Sequence, residues 1–178
     1  MNLLILADMD DFHWPHGGGQ ADLLLACGDL TDQLIIEAAQ AYGNPRILAV
    51  KGNHDMPAPF PSPIEDLHLK VVEVGGLRIG GFNGCWKYKS KGAFLYDQAE
   101  AHALLADFPP VDILITHNSP GGIHDRKDGV HMGFDALVDY IHLHEPRLVI
   151  HGHQHMDRET QVGRTTVIGV YGDRLVAV

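Results

Sequence analysis

Five continuous apolar runs of strand length constrain this 178-residue chain more than any other feature: Leu3–Ala7, Leu23–Cys27, Ile47–Val50, Ile113–Thr116 and Leu148–Ile150. A strand with one wet face alternates apolar and polar residues, whereas a continuous run must be covered on both faces. Helical spacing fills several of the intervals. Leu34, Ile35, Ala38 and Ala39 lie within Asp32–Ala41, Ala101, Leu104 and Leu105 within Asp97–Ala106, and Leu137, Val138 and Ile141 within Phe134–His144. Thr31 or Asp32 suits the N-cap of the first of these. Val71–Val74 and Leu77–Phe82 flank Gly75-Gly76 as a hairpin, and Arg158–Val162, Thr165–Val170 and Arg174–Val178 repeat the theme. The pattern predicts an α/β fold, a four-layer α/β/β/α sandwich of two mixed sheets flanked by helices, with residues 1–178 as a single domain. One crossover breaks the alternation. Residues Asp8–Asp22 contain Pro15 and Gly17-Gly18-Gly19, poor helix material, so that connection is expected to be a loop. Pro57–Pro63, with four prolines, reads as a stiff surface loop.

The chemistry-bearing residues stand where these runs end. The first run gives way to Asp8-Met9-Asp10, the second to Gly28-Asp29, and the third to Lys51-Gly52-Asn53-His54-Asp55. The fourth meets His117-Asn118, and the fifth His151-Gly152-His153-Gln154-His155. Ligands of open α/β sheets bind outside the carboxyl ends of the strands. Carboxylate, amide and imidazole groups gathered there suit divalent metals of intermediate hardness. Gly28, Gly52 and Gly152 each precede a candidate ligand, where a sharp turn at the strand exit is expected.

This ordered series resembles the calcineurin-like metallophosphoesterase family, whose pattern runs D-x-H, G-D, G-N-H-[ED], a lone H and G-H-x-H. All five segments occur in order between residues 8 and 155. The resemblance implies a dinuclear centre. One metal would take Asp8, the residue at position 10, Asp29 and His155; the other would take Asn53, His117 and His153, with Asp29 bridging. It also implies hydrolysis of phosphate esters by a hydroxide shared between the two metals. His54, beside Asn53, would then be the general acid that protonates the leaving oxygen, with Asp55 as a candidate orienting group.

One position departs from the pattern, because Asp10 stands where the family has histidine. Asp8 and Asp10 are two apart on an extended chain and share a face, so a carboxylate reaches the same metal. The harder donor tilts the site toward Mn²⁺ or Fe, with Zn²⁺, Ni²⁺ and Co²⁺ as the other ions such donors accept. A competing reading takes Asp11-Phe12-His13 as the D-x-H segment, with His13 as the ligand. His151 reads either as a donor supporting the ligands or as a structural histidine. His13, His16, His124 and His131 otherwise read as solvated loop histidines.

Trp86, Lys87 and Tyr88, followed by Lys89 and Lys91, form the main candidate substrate contact. The aromatic rings would stack on a base while a lysine meets phosphate. The competing reading is an edge whose lysines discourage strand pairing. Asn118 reads equally as a substrate contact or as turn chemistry, and 118–133 as a candidate lid.

Charge narrows the partner class. Thirteen Lys and Arg oppose 23 Asp and Glu, a net charge of −10, which disfavours extended nucleic acid and anionic membrane surfaces. Two cysteines, Cys27 and Cys85, suit a reducing cytoplasm. The expected partner is a small phosphate ester, with self-association left open. Within the ester class the reading leans to a phosphodiesterase on a small nucleotide, cyclic ones included, or a similar diester. A phosphomonoesterase and a metal-poor protein-binding scaffold of the same fold are the alternatives.

Overall fold

The computed structural model describes residues 1–178. Its elements run β1 (Asn2–Ala7), β2 (Leu23–Ala26), α1 (Asp32–Ala41), β3 (Arg46–Ala49), β4 (Ile64–Asp66), β5 (Val71–Val74), β6 (Leu77–Phe82), β7 (Cys85–Trp86) and β8 (Leu95–Tyr96). There follow α2 (Gln98–Leu105), β9 (Ile113–Thr116), α3 (Asp135–His144), β10 (Leu148–His151), β11 (Arg158–Val162), β12 (Thr165–Gly169) and β13 (Gly172–Ala177). One sheet has the order β13-β1-β2-β3-β4, the other β11-β12-β10-β9-β6-β5, and β7 pairs with β8 apart from both. Strands β1 to β4 are mutually parallel, with β13 antiparallel at the edge. In the second sheet β6, β9, β10 and β12 are parallel, and β5 and β11 close the edges as antiparallel hairpin partners.

The two-residue period of a strand sorts each apolar run between layers. Leu3, Ile5 and Leu25 face Ile115, Ile150 and Ile168 in a core between the sheets. Their neighbours Leu4, Leu6 and Leu24 point the other way, onto Leu34, Ile35 and Ala38 of α1. On the far side Leu114, Val149 and Val167 pack against Leu105 of α2 and Leu137, Tyr140 and Ile141 of α3. The expected α/β/β/α layering is therefore present, and continuous apolar runs are what strands between two covered faces require.

Helix ends follow local chemistry. The Thr31 side chain accepts from the Leu34 N–H at 3.2 Å and caps α1, which settles the choice between Thr31 and Asp32. Asp97 and Glu100 form a reciprocal capping box at α2, so Asp97 is the cap rather than the first helical residue.

The connection from β1 to β2 contains no helix, as Pro15 and its glycines foretold, and neither does the one from β3 to β4. The prolines of the latter lead into β4, a short strand whose pairing with β3 is reinforced by a bidentate Arg46–Glu65 contact at 2.6 and 2.7 Å. No helix is long and apolar enough to cross a membrane.

Because Leu25 is fully buried between the sheets, Leu25→Ala should lower unfolding free energy by about 2–5 kcal/mol. Leu143→Ala, at a position 73% exposed, should change it by less than about 0.5 kcal/mol. Urea denaturation of the two variants checks the contrast.

Candidate metal centre

The carboxyl ends of β1, β2, β3, β9 and β10 meet at one rim of the sandwich. Each hands the chain to candidate residues through tight local turns. Asp8, Asp29, His153 and His155 all adopt positive φ, between 50° and 62°. Non-glycine residues held there cost about 1–3 kcal/mol each and persist only where surrounding structure fixes them. Gly28 also has positive φ, +92°, which fits the turn expected of it. Gly52 does not, and its role is space. A Cβ there would collide with Asp29 Oδ1 and lie 2.7 Å from His117 Cε1.

The densest convergence joins three groups. Ligand atoms of Asp8, Asp29 and His117 lie within 4.8 Å of one another. His117 is fully buried, and its Nδ1–H donates to the Cys27 carbonyl at 2.8 Å. A carbonyl only accepts, so this contact puts a proton on Nδ1 and turns Nε2 toward Asn53 Oδ1 at 3.1 Å and Asp29 Oδ2 at 3.4 Å. Asp29 Oδ1 accepts from the His54 N–H at 2.8 Å, and Asp8 Oδ2 from the His153 N–H at 2.7 Å. Asp8 Oδ1 is buried without a hydrogen-bond partner, 3.6 Å from His155 Nε2. The His153 ring lies 5.0 Å from that of His117, centroid to centroid.

The electrostatics state the same need in another form. Burial pushes Asp8 up to about 7, and the neighbouring Asp29 charge adds to it. Burial would raise Asp29 too, but the charge and hydrogen bond of His117, with the His54 N–H, outweigh it and hold the carboxyl low. Burial alone would lower His117, yet Asp29 and Asp8 drive it above the ordinary histidine value. Two carboxylates around one imidazole make the cluster favourable for positive charge. An orphaned carboxylate oxygen, an amide oxygen and two imidazoles in one rim fit a divalent cation.

A cleft of about 430 Å³ opens beside this cluster, lined by Asp8, Asp10, Asp29, His54 and His155 among others. Asp10 is exposed and lines the cleft but lies outside the three-group convergence. His13 is not brought to the cleft, because its Nδ1 contacts Glu37 of α1 at 2.9 Å. Lys51 also lines the cleft, 6% exposed, its ammonium 3.7 Å from the centre of the Phe60 ring.

Several sequence expectations change. Asp55 does not orient His54. Its carboxylate accepts three main-chain N–H groups, from Asp29 and Leu30 at 3.0 Å and from Gly52 at 2.7 Å, and so ties the β2 exit to the β3 exit. Asn118 is fully buried, donating to the Met132 carbonyl at 2.9 Å and accepting from the Ser119 N–H at 3.0 Å, which leaves it no substrate-facing group. Lys87 reaches toward Glu100, 3.7 Å away, and neither it nor Trp86 lines the cleft. Tyr88 does approach, its hydroxyl accepting from Asn53 Nδ2 at 3.4 Å.

Two histidines read as solvated, His124 and His131, are built into the structure. His151 Nδ1–H donates to the Gly152 carbonyl, His124 bridges His151 Nε2 and Thr160 Oγ1, and all three contacts measure 2.8 Å. Burial keeps the His124 and His151 rings below the usual histidine value. His131 is held through Nδ1 by Asp128 at 2.6 Å, its ring 5.1 Å from that of His153.

The sequence matches the family model of the calcineurin-like phosphoesterase superfamily domain over residues 1–170. The chain belongs to that superfamily. Membership makes it a phosphoric ester hydrolase of a family that typically uses divalent metals. No curated protein matches the sequence. Among solved structures, TT1561 of Thermus thermophilus superposes with a TM-score of 0.61 at 15% identity, over 95% of this chain and 89% of its own. The phosphopantetheinyl hydrolase PptH from Mycobacterium tuberculosis gives 0.58 at 14%, over 96% and 89%. Zinc-complexed Vps29 from Entamoeba histolytica gives 0.51 at 16%, over 97% and 74%. At such identities these likenesses establish the fold alone.

Asp55→Ala should strand three buried or half-buried N–H groups, each of which costs about 1–3 kcal/mol when unsatisfied. A thermal midpoint well below wild type is expected, and one within a degree would remove the clamp assignment.

Proposed function

We propose that this superfamily member is a dinuclear metal-dependent phosphodiesterase acting on small organic diesters. The observation that carries the two-metal reading is the fixed Nε2 of His117, facing Asn53 and Asp29 while Asp29, Asp8 and His155 form a second group beside it. Asp8, Asp10, Asp29 and His155 would hold one cation and Asn53, His117 and His153 the other, with Asp29 shared. The asymmetry is chemically sensible, since the first set carries the carboxylates and the second adds a neutral amide and imidazoles. Mn²⁺ or Fe suits the carboxylate-rich set better than Zn²⁺. When bound, two such cations would supply an activated water and offset charge on the phosphoryl oxygens.

The chain's own residues do the rest. Asp29 and Asp8 are pre-positioned by main-chain N–H groups of His54 and His153, so neither must reorganise when substrate arrives. His54 is exposed on the cleft wall while its backbone is anchored to Asp29. Its ring is free to give a proton to the leaving oxygen. Tyr88, at Asn53, brings the aromatic 85–88 segment to the edge of the site. That aromatic edge supports an ester with an organic group on each side of phosphorus. A cytoplasmic setting suits two thiols that are both free and buried.

Purified protein assayed with Mn²⁺ on bis-4-nitrophenyl phosphate and on 4-nitrophenyl phosphate tests the reading. Turnover should favour the diester, vanish with chelator, and fall at least about 10³-fold in Asp29→Asn. Diester turnover equal in wild type and Asp29→Asn would sink it, and a preference for the monoester would replace it with the phosphatase reading.

A further inference from the structure

Six large apolar side chains are exposed on this protein: Phe12, Met56, Met132, Leu143, Tyr171 and Leu175. Single exposed apolar residues need no explanation, but these are not spread evenly. Phe12 and Met56, each 74% exposed, both line the cleft that holds Asp8, Asp29 and His54. A third, Tyr171, lies flat on the ring of His155, with centroids 5.0 Å apart and planes 20° apart.

Phe12 and Met56 come from the two connections that lack helices, between β1 and β2 and between β3 and β4. Their backbones are nonetheless held. The Phe12 carbonyl accepts from Thr31 Oγ1 at 3.4 Å, and two residues on the Trp14 N–H donates to Glu37 at 2.9 Å. Met56 follows Asp55, whose carboxylate is clamped by three N–H groups. Two apolar side chains are therefore presented to solvent from fixed backbone at the mouth of a polar cleft. That arrangement gives no packing to the fold and leaves a ligand as the group that would cover them.

We propose that Phe12 and Met56 form a clamp for an aromatic ring of the phosphate ester, so that the substrate class is aryl- or nucleobase-bearing rather than simple alkyl. The inference rests on the phosphoesterase reading of the same cleft. A phenyl face and a thioether are both favourable partners for a planar ring. A cleft of about 430 Å³ is in the range that encloses a ligand with one ring system and a phosphate. This clamp takes the ring-stacking role that the sequence assigned to Trp86 and Tyr88, of which Trp86 lies outside the cleft. Continuity with the catalytic rim, rather than with an open face, favours substrate over a protein partner as the occupant.

The test is direct binding to the Mn²⁺-loaded protein by calorimetry, using phenylphosphonate and methylphosphonate, which share a head group and differ only in the ring. Wild type should bind the phenyl compound about five- to tenfold more tightly. Phe12→Ala and Met56→Ala should each bring that ratio toward one, and Leu143→Ala, exposed on α3, should keep the wild-type ratio. All four proteins should melt at similar temperatures, since the altered side chains are exposed. An unchanged ratio in both clamp variants, or a wild-type ratio near one, overturns the clamp and returns Phe12 and Met56 to a protein-contact surface. No binding of either phosphonate would overturn the phosphoesterase reading, and the clamp with it.

Discussion

Two carboxylates and an imidazole, Asp8, Asp29 and His117, are forced within 4.8 Å of one another at the rim where two sheets meet. Much of the surrounding structure is explicable as support for that crowding. Like charges in a partly buried site repel, and burial penalises each of them further. The chain answers with main-chain N–H groups on both carboxylates and a carbonyl that fixes the His117 ring. It also accepts four left-handed non-glycine residues among the candidate ligands. Asp29 and Asp8 raise His117 above the ordinary histidine value, so the cluster favours positive charge.

That support is distributed over the sequence. Asp55 links the exits of β2 and β3 through three hydrogen bonds, and the His151–His124–Thr160 chain ties the β10 exit to β11 through a loop and an edge strand. Because backbone strain at Asp8, Asp29, His153 and His155 is held by such contacts, the clamps matter as much as the donors. The sheets supply rigidity, and the helix-free connections 8–22 and 50–63 supply walls for the cleft.

The layers are legible in the sequence because strand periodicity is local: Leu3 and Leu4 report opposite faces without knowledge of their partners. The rim is legible for a related reason, since each strand exit carries its own polar segment. Asp55 misleads because its neighbour His54 suggests a pairing, whereas two of its three partners lie 26 and 25 residues away at Asp29 and Leu30. His124 and His131 sit in an irregular loop with no period to announce burial, and Asn118 reads alike as substrate contact or turn until its two partners are seen. Phe12 and Met56 carry no signal at all, because exposure of an apolar residue is a property of the folded surface. Trp86 and Lys87 draw attention by composition, which does not report direction.

The two-metal centre is tested most directly by anomalous diffraction from crystals of the Mn²⁺-loaded protein. Two peaks per chain are expected, about 3.5–4 Å apart, with the Asp29 carboxylate between them. His117→Ala should remove the one beside Asn53 and His153. A single peak in the wild-type protein, or peaks that do not flank Asp29, would contradict the dinuclear site.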